Sequence, residues 1–236
     1  MKKRTKLKIL LPIYAAVLVV CLCTAHFGNQ AVTVMVERAP IKQRSCVVID
    51  AGHGGIDGGA TSCSGILESE LNLQIAHRLN DLLKFMGYDT RMIRTTDTSI
   101  YTEGTTIAAQ KVSDLKERVR TVNETDNALL VSIHQNAFPD SRYSGAQVFY
   151  ANDSKSQTFA QAMQKTFIDT INRGSNRKCK PSDGIYLMQH IQTTGILIEC
   201  GFLSNPTEEA KLRSENYQKN IACVIASCCS TYLEKE

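Results

Sequence analysis

The sequence predicts a single α/β domain built on a largely parallel, twisted sheet with helices on both faces. Short apolar runs typical of buried strands alternate with longer segments that repeat apolar residues at helical spacing. A chain of 236 residues can bury one full core, and its 43% hydrophobic and 21% charged residues are ordinary for a globular protein. No internal repeat or second domain is visible, so residues 45–236 are expected to form one folded domain.

The elements follow from these patterns in order. Ser45–Asp50 is a continuous apolar run suited to a strand buried on both faces. Further strands are predicted at 88–94, 128–133, 146–150 and 195–199. Helical spacing predicts helices over 71–86, 112–122 and 159–171. A closing helix is expected after the segment 204–205, where Asn205 or Ser204 can cap it, with Pro206 in its first turn. The threonine-rich segment 95–111 is expected to be a surface loop.

The N-terminal segment has the composition of an export signal. Five basic residues and no acidic residue precede the apolar run Ile9–Ala25. They are Lys2, Lys3, Arg4, Lys6 and Lys8. Residues 1–28 are therefore expected to be a signal peptide or an N-terminal membrane anchor, and the marginal cleavage site Cys23–Ala25 favours the anchor. Residues 29–44 are expected to be a linker, and the domain after them faces outward. The chain would be exported, either membrane-anchored or secreted.

The positive charge of the chain is concentrated in this leader. Subtracting its five cations from the formal net charge of +4 leaves about one net negative charge on the remainder. The nearly neutral charge of the remainder does not indicate a basic patch for a phosphate backbone. We therefore expect no nucleic-acid partner.

Polar residues gather at one edge of the predicted sheet. His53 and His134 follow strands, Glu199 ends a late strand, and Glu68 lies where a glycine-rich loop turns into a helix. In open α/β sheets ligands bind at the carboxyl ends of the strands. We therefore expect these four residues to lie at one rim, although their positions in the sequence are far apart.

Two histidines and a carboxylate are a standard ligand set for catalytic zinc, and a second carboxylate would serve as proton carrier. Each residue also has a structural explanation, because a single histidine after a strand is more often an ordinary loop residue. Glu68 at a helix start is favourable for the helix dipole alone. Glu199 is harder to explain in this way, since a buried carboxylate needs a cation or a proton. The joint placement favours a metal site.

Five segments closely resemble the type-3 family of zinc-dependent N-acetylmuramoyl-L-alanine amidases. They occur in family order and are "VIDAGHGGIDGGA", "LESELNLQIAHRL", "LLVSIHQNA", "SGAQVFY" and "ILIECGFLSNPTE". The resemblance implies a zinc-peptidase-like fold for a catalytic domain over 45–236. It implies that His53, Glu68 and His134 bind one Zn²⁺ ion and that Glu199 is the catalytic glutamate. Glu70 points about 200° around the helix from Glu68, so only one of them can face the metal.

The implied reaction is hydrolysis of the amide between N-acetylmuramic acid and L-alanine in peptidoglycan. The glycines around His53 would then let a polymer approach the metal. "SGAQVFY" and "GIYLMQH" most resemble the spore-cortex amidases of endospore-forming bacteria, which act in muramic-δ-lactam formation at the wall or cortex. The alternatives are a zinc carboxypeptidase acting on wall peptides and an inactive, membrane-tethered wall-binding protein. No wall-binding module is visible, so targeting would fall to the membrane segment or to an activating partner protein.

Overall fold

The structure is a computed structural model that describes residues 45–235. The expected signal or anchor at 1–28 and the linker at 29–44 lie outside the described residues. Within 45–235, no helix combines the length and the apolar character that crossing a membrane requires.

A six-stranded sheet forms the centre of the described domain, with the strand order β2-β1-β3-β6-β4-β5. The strands are β1 (Cys46–Ala51), β2 (Asp89–Met92), β3 (Ala128–Asn136), β4 (Gln147–Tyr150), β5 (Lys180–Pro181) and β6 (Thr194–Phe202). β2, β1, β3 and β6 pair in parallel, whereas β4 pairs antiparallel with β6 and parallel with β5. The predicted largely parallel sheet is confirmed, and its reversal is confined to one edge.

Helices cover both faces of the sheet, as the sequence predicts. They are α1 (Glu68–Phe85), α2 (Ile107–Asn123), α3 (Ser154–Thr170), α4 (Tyr186–His190), α5 (Pro206–Leu212) and α6 (Glu215–Leu233). One buried cluster joins the sheet to α1, α3 and α6 through residues such as Leu79, Phe159 and Ile225. A smaller cluster on the other face packs Val48 and Leu130 against α2 and α4.

The two central strands are longer than predicted, and this changes the setting of the candidate site. β3 and β6 pair beyond Ile133 and Ile198, with His134 opposite Glu199 and an irregularity in register before Asn136. His134 and Glu199 therefore lie inside strands rather than at their ends. The strands continue through polar residues because each supplies the other with backbone hydrogen-bond partners.

Three connections also differ from the prediction. The expected loop 95–111 ends early, because Thr106 caps α2 by accepting a hydrogen bond from the Ala109 backbone N–H at 3.2 Å. The closing helix is two helices, α5 and α6, separated near Ser214. Asn205 caps α5 as predicted, accepting from the backbone N–H of Thr207. Strand β5 and helix α4 are too short to leave a periodic pattern in the sequence.

Candidate metal centre

His53, Glu68 and His134 come together at the carboxyl edge of the sheet. Glu68 lies between the histidines, with its Oε2 3.2 Å from His53 Nε2 and its Oε1 2.9 Å from His134 Nδ1. One ligand atom from each residue lies within 4.8 Å of the other two. The donor set of two imidazole nitrogens and one carboxylate oxygen is the set that catalytic zinc uses, so these residues fit a zinc ion.

The Glu68 carboxylate is held from several sides. Its side chain is only 5% exposed. Oε2 accepts a hydrogen bond from the Ala60 backbone N–H at 3.0 Å, and Oε1 accepts from the Gln135 backbone N–H and the Asn72 side-chain amide. Burial alone would raise the pKa of Glu68, but the two neighbouring imidazoles hold it far below its usual range. Glu70 is exposed, so only Glu68 of the two acids faces the histidines.

His53 is oriented by a carboxylate that the sequence analysis did not single out. Its Nδ1 lies 2.9 Å from Asp57 Oδ2, and Lys111 donates to the other oxygen of Asp57 at 2.8 Å. Burial would lower the pKa of His53, but the carboxylates of Glu68 and Asp57 raise it to about 9. A carboxylate on the remote nitrogen fixes the ring, so that Nε2 faces Glu68 and would be directed at a metal ion bound there. The position of Asp57, four residues after His53 in the glycine loop, is the only sequence signal for this role.

The glycines of this loop make room for the site's own side chains. A Cβ on Gly52 would lie 2.6 Å from His134 Cδ2 and closer still to two other ring atoms. A Cβ on Gly59 would lie 2.6 Å from Glu68 Oε2 and 2.7 Å from His53 Cδ2, and Gly59 has a φ of +67°. The expectation that these glycines admit a polymer is therefore incomplete. At both positions, the absent side chain lets the candidate ligands approach one another.

Two buried arginines hold the backbone that carries His53. The Arg94 guanidinium donates to the carbonyls of Ala51 and Gly52 at 2.8 and 3.0 Å. Arg118 donates to the carbonyl of His53 at 2.7 Å and to that of Ala51 at 3.0 Å. His53 itself has a φ of +60°, a left-handed conformation that is uncommon outside glycine. These donors fix a backbone geometry that would otherwise be unfavourable, and sequence reasoning missed both of them.

Glu199 lies beside the cluster on β6, opposite His134 in the sheet register. Its Oε2 is buried and has no hydrogen-bond partner within the described residues. Burial raises the pKa of Glu199 to about 7. A buried acceptor without a partner is costly in a purely structural role, because its desolvation is not compensated. The arrangement instead suits a group that binds a proton or lies near a cation.

The site opens into a pocket of about 320 Å³. His53, His134 and Glu199 line it together with a mainly apolar wall from α2, α4 and β6. The wall includes Leu115, Ile185, Leu187 and Leu197. The apolar wall lowers the local dielectric constant around the Glu199 carboxylate, and electrostatic interactions are stronger in such an environment than in water.

Comparisons with known proteins agree with this architecture. The family model for N-acetylmuramoyl-L-alanine amidase matches residues 47–229. The germination-specific N-acetylmuramoyl-L-alanine amidase of Bacillus subtilis is 39% identical over 181 residues, which are 76% of each chain. The structure of the CwlD amidase from Clostridioides difficile, in complex with the GerS lipoprotein, superposes with a TM-score of 0.78 at 36% identity, covering 82% of this chain and 100% of that one.

A second solved structure, an N-acetylmuramoyl-L-alanine amidase from Clostridium difficile 630, gives a TM-score of 0.72 at 31% identity. It covers 82% of this chain and 98% of that one. The family match spans the strands and helices that assemble the histidine–glutamate cluster. The chain belongs to the N-acetylmuramoyl-L-alanine amidase family, and it is an enzyme of that class.

Proposed function

We propose that this chain is a zinc-dependent hydrolase that cleaves the amide bond between N-acetylmuramic acid and L-alanine in peptidoglycan. The observation that carries the proposal is the convergence of three ligand atoms within 4.8 Å beside a buried, unpartnered carboxylate. Family membership supports the choice of bond. It also favours an amidase over a zinc carboxypeptidase or an inactive wall-binding protein.

His53, Glu68 and His134 would hold a single zinc ion. When bound, zinc would supply Lewis acidity for the scissile carbonyl and activate water near neutral pH. Asp57 and the backbone donors to Glu68 keep the ligand atoms aimed at a common point. Because the fold has already set these directions, little ordering is needed when the ion binds.

Glu199 is the proton carrier in this proposal. Its free Oε2 accepts the proton of the attacking water and then donates it to the alanine nitrogen as the amide bond breaks. Burial favours the protonated form of the carboxylic acid, whereas an adjacent cation favours the carboxylate. Glu199 lies between these two influences, which suits a group that must both take and release a proton.

For the cellular role, we propose an exported enzyme that acts in spore-cortex maturation, on the route to muramic-δ-lactam. The support is the similarity to the germination-specific amidase of Bacillus subtilis and to the CwlD amidase of Clostridioides difficile. Residues 1–28 would carry the domain across the membrane and, if uncleaved, anchor it there. Since the CwlD amidase was solved in complex with a lipoprotein, we also propose that a partner protein activates this chain.

The chemistry is tested by three single variants assayed on purified peptidoglycan. Glu199→Ala should retain zinc but hydrolyse about 10³-fold more slowly, as expected for loss of a general acid–base group. His53→Ala should lose both zinc and hydrolysis. Glu70→Ala, which removes the neighbouring exposed acid, should lose neither. Full activity of Glu199→Ala would remove its assigned role.

Product analysis separates the candidate reactions. Mass spectrometry of the digested peptidoglycan should show glycan free of peptide together with new L-alanine amino termini. Release of a single terminal amino acid would instead identify a carboxypeptidase. For the cellular role, spores formed without this chain should lack muramic-δ-lactam, and a normal lactam content would contradict that role.

A further inference from the structure

A group of aromatic side chains lies on the same sheet edge as the metal centre, outside the pocket that contains it. The ring centroids of Phe138 and Tyr143 are 4.8 Å apart in an edge-to-face arrangement. Tyr143 stacks on Phe202 with centroids 6.1 Å apart. Phe138 and Tyr143 are 48% and 46% exposed, whereas Phe202 is 3% exposed. We call Phe138 and Tyr143, supported from below by Phe202, the aromatic platform.

The platform is held rigidly by the segment that follows β6. The Phe138 backbone N–H donates to Ser204 Oγ at 3.1 Å, and the Asn205 side chain donates to the Tyr143 carbonyl at 3.2 Å. Glu208 accepts from the Gly145 backbone N–H at 2.6 Å. Two large apolar rings are thus kept half exposed on a fixed loop. Such preorganised rings lose little conformational entropy when a ligand binds.

The chain places the platform close to the catalytic groups. Phe138 follows His134 by four residues, which span at most about 13 Å of extended chain. Phe202 follows Glu199 by three residues, and β3 and β6 are paired at both His134–Glu199 and Asn136–Phe202. None of the three aromatic residues lines the catalytic pocket. A substrate that reaches both sites must therefore extend beyond the bond being cleaved.

The surroundings of the platform are basic. The Arg177 guanidinium lies 4.8 Å from the Phe202 ring centroid and 5.9 Å from that of Tyr143. A polar depression of about 620 Å³ adjoins the platform at Tyr143 and Arg177. Its charged lining consists of four basic residues and one buried acid, namely Arg142, Arg173, Arg177, Lys211 and Glu208. Arg142 is ion-paired with Asp140 at 2.7 Å, so Arg173, Arg177 and Lys211 carry the charge that complements a polymer with carboxylates.

We propose that the aromatic platform is a glycan subsite, at which a sugar ring of the peptidoglycan strand stacks beside the muramic acid being processed. The proposal rests on the proposed function. A pyranose ring presents an apolar C–H face with hydroxyl groups around its rim. The half-exposed Phe138 and Tyr143 rings, set edge to face, offer apolar surface to the C–H face, and the polar groups around them offer hydrogen-bond partners to the hydroxyl groups. Stem-peptide carboxylates projecting from the same strand would meet the basic depression. The proximity to the metal centre favours substrate over a protein partner as the occupant.

The test uses zinc-loaded full-length chain carrying Phe138→Ala, Tyr143→Ala or both changes. Phe85→Ala is the matched control, because Phe85 is 90% exposed at the far end of α1, about 25 Å along the helix from Glu68. Two substrates are compared, polymeric peptidoglycan and a soluble disaccharide-peptide that contains the same amide bond. Binding of peptide-free glycan strands is measured separately by calorimetry, so that it does not depend on hydrolysis.

The double variant should raise KM for the polymer about tenfold and weaken glycan-strand binding to a similar degree, as expected for loss of two central aromatic contacts. Its kcat on both substrates and its KM on the fragment should stay within about twofold of wild type. Phe85→Ala should match wild type throughout. Unchanged polymer KM and glycan binding would overturn the proposal and leave a protein partner as the occupant. An equal rise in KM on the polymer and on the disaccharide-peptide would also overturn the proposal. Failure of the wild-type chain to release L-alanine termini would instead refute the proposed function.

Discussion

The requirement for glycine at position 52 gives the sharpest test of the metal centre. The Gly52→Ala substitution adds one methyl group on a backbone whose φ is not in the left-handed region, so backbone strain does not contribute. The new Cβ would lie 2.6 Å from His134 Cδ2, whereas ordinary contacts begin at 3.4 Å. The ring must therefore move by at least 0.8 Å, the difference between these distances.

A shift of this size is large for a metal ligand. Metal–ligand distances are held to about 0.2 Å, and misplacing a catalytic group by about 1 Å can cost roughly 10²-fold in rate. His134 also contacts Glu68 Oε1 at 2.9 Å, so the shift would disturb a second ligand. We expect Gly52→Ala to bind zinc at least tenfold more weakly and to lose about 10²-fold in hydrolysis.

Gly58→Ala is the matched control, since Gly58 lies in the same loop. There the added Cβ would meet only the end of the flexible Leu67 side chain, at 3.1 Å. Zinc content would be measured by atomic absorption, hydrolysis on purified peptidoglycan, and folding by thermal unfolding. Gly58→Ala should behave like wild type. If Gly52→Ala bound zinc and hydrolysed substrate as well as Gly58→Ala, the assigned position of His134 would be wrong.

The remaining predictions concern Asp57, Asp50 and the metal itself. Asp57→Ala removes the carboxylate on His53 Nδ1 and should lower zinc affinity 10- to 100-fold in a competition titration, while unchanged affinity would exclude the orienting role. Asp50→Asn breaks a buried pair with Arg118 and should lower the free energy of unfolding by about 3 kcal/mol at pH 7 in urea. Burial alone would raise the pKa of Asp50, but Arg118 holds it below its usual value. The difference in free energy of unfolding between wild type and Asp50→Asn should therefore shrink as the pH falls below about 4. A difference that does not change with pH would show that the ion pair is unimportant. Chelation of zinc should abolish hydrolysis and lower the thermal unfolding midpoint. Adding zinc at about 100 times its Kd should restore roughly 2.7 kcal/mol to the free energy of unfolding. An unchanged midpoint would argue against a bound ion.

Much of the fold could be predicted because its strands are buried on both faces. Runs such as Val47–Asp50 and Leu129–Ile133 have few polar residues, so their position and parallel pairing can be predicted from the sequence. The strand at the edge of the sheet beyond β4 could not be predicted. β5 has only two residues, and its position depends on pairing with β4 rather than on any local pattern.

The candidate site was predictable in part for the same reason. His53 and His134 could be placed at one rim because each follows an apolar run that predicts a buried strand, although β3 continues through His134. The roles of Asp57, Arg94 and Arg118 could not be read in this way. Arg118 lies within a helix whose spacing of charged residues also suits an exposed face, and its burial follows only from the packing of α2 against the loop at His53. Such contacts depend on how distant segments pack together, and the spacing of apolar residues along one helix or strand carries no information about that packing.

The candidate metal centre owes its shape largely to main-chain groups. Backbone N–H groups of Ala60 and Gln135 fix the Glu68 carboxylate, and backbone carbonyls from Ala51 to His53 bind the buried arginines. The surrounding fold therefore sets the position of the Glu68 carboxylate and of the His53 backbone, and the contacts of Glu68 with His53 and His134 complete the geometry. The left-handed conformation at His53 has a cost, and the arginine hydrogen bonds offset it. Side chains held in this way would need little rearrangement to bind an ion, because their directions are set before it arrives.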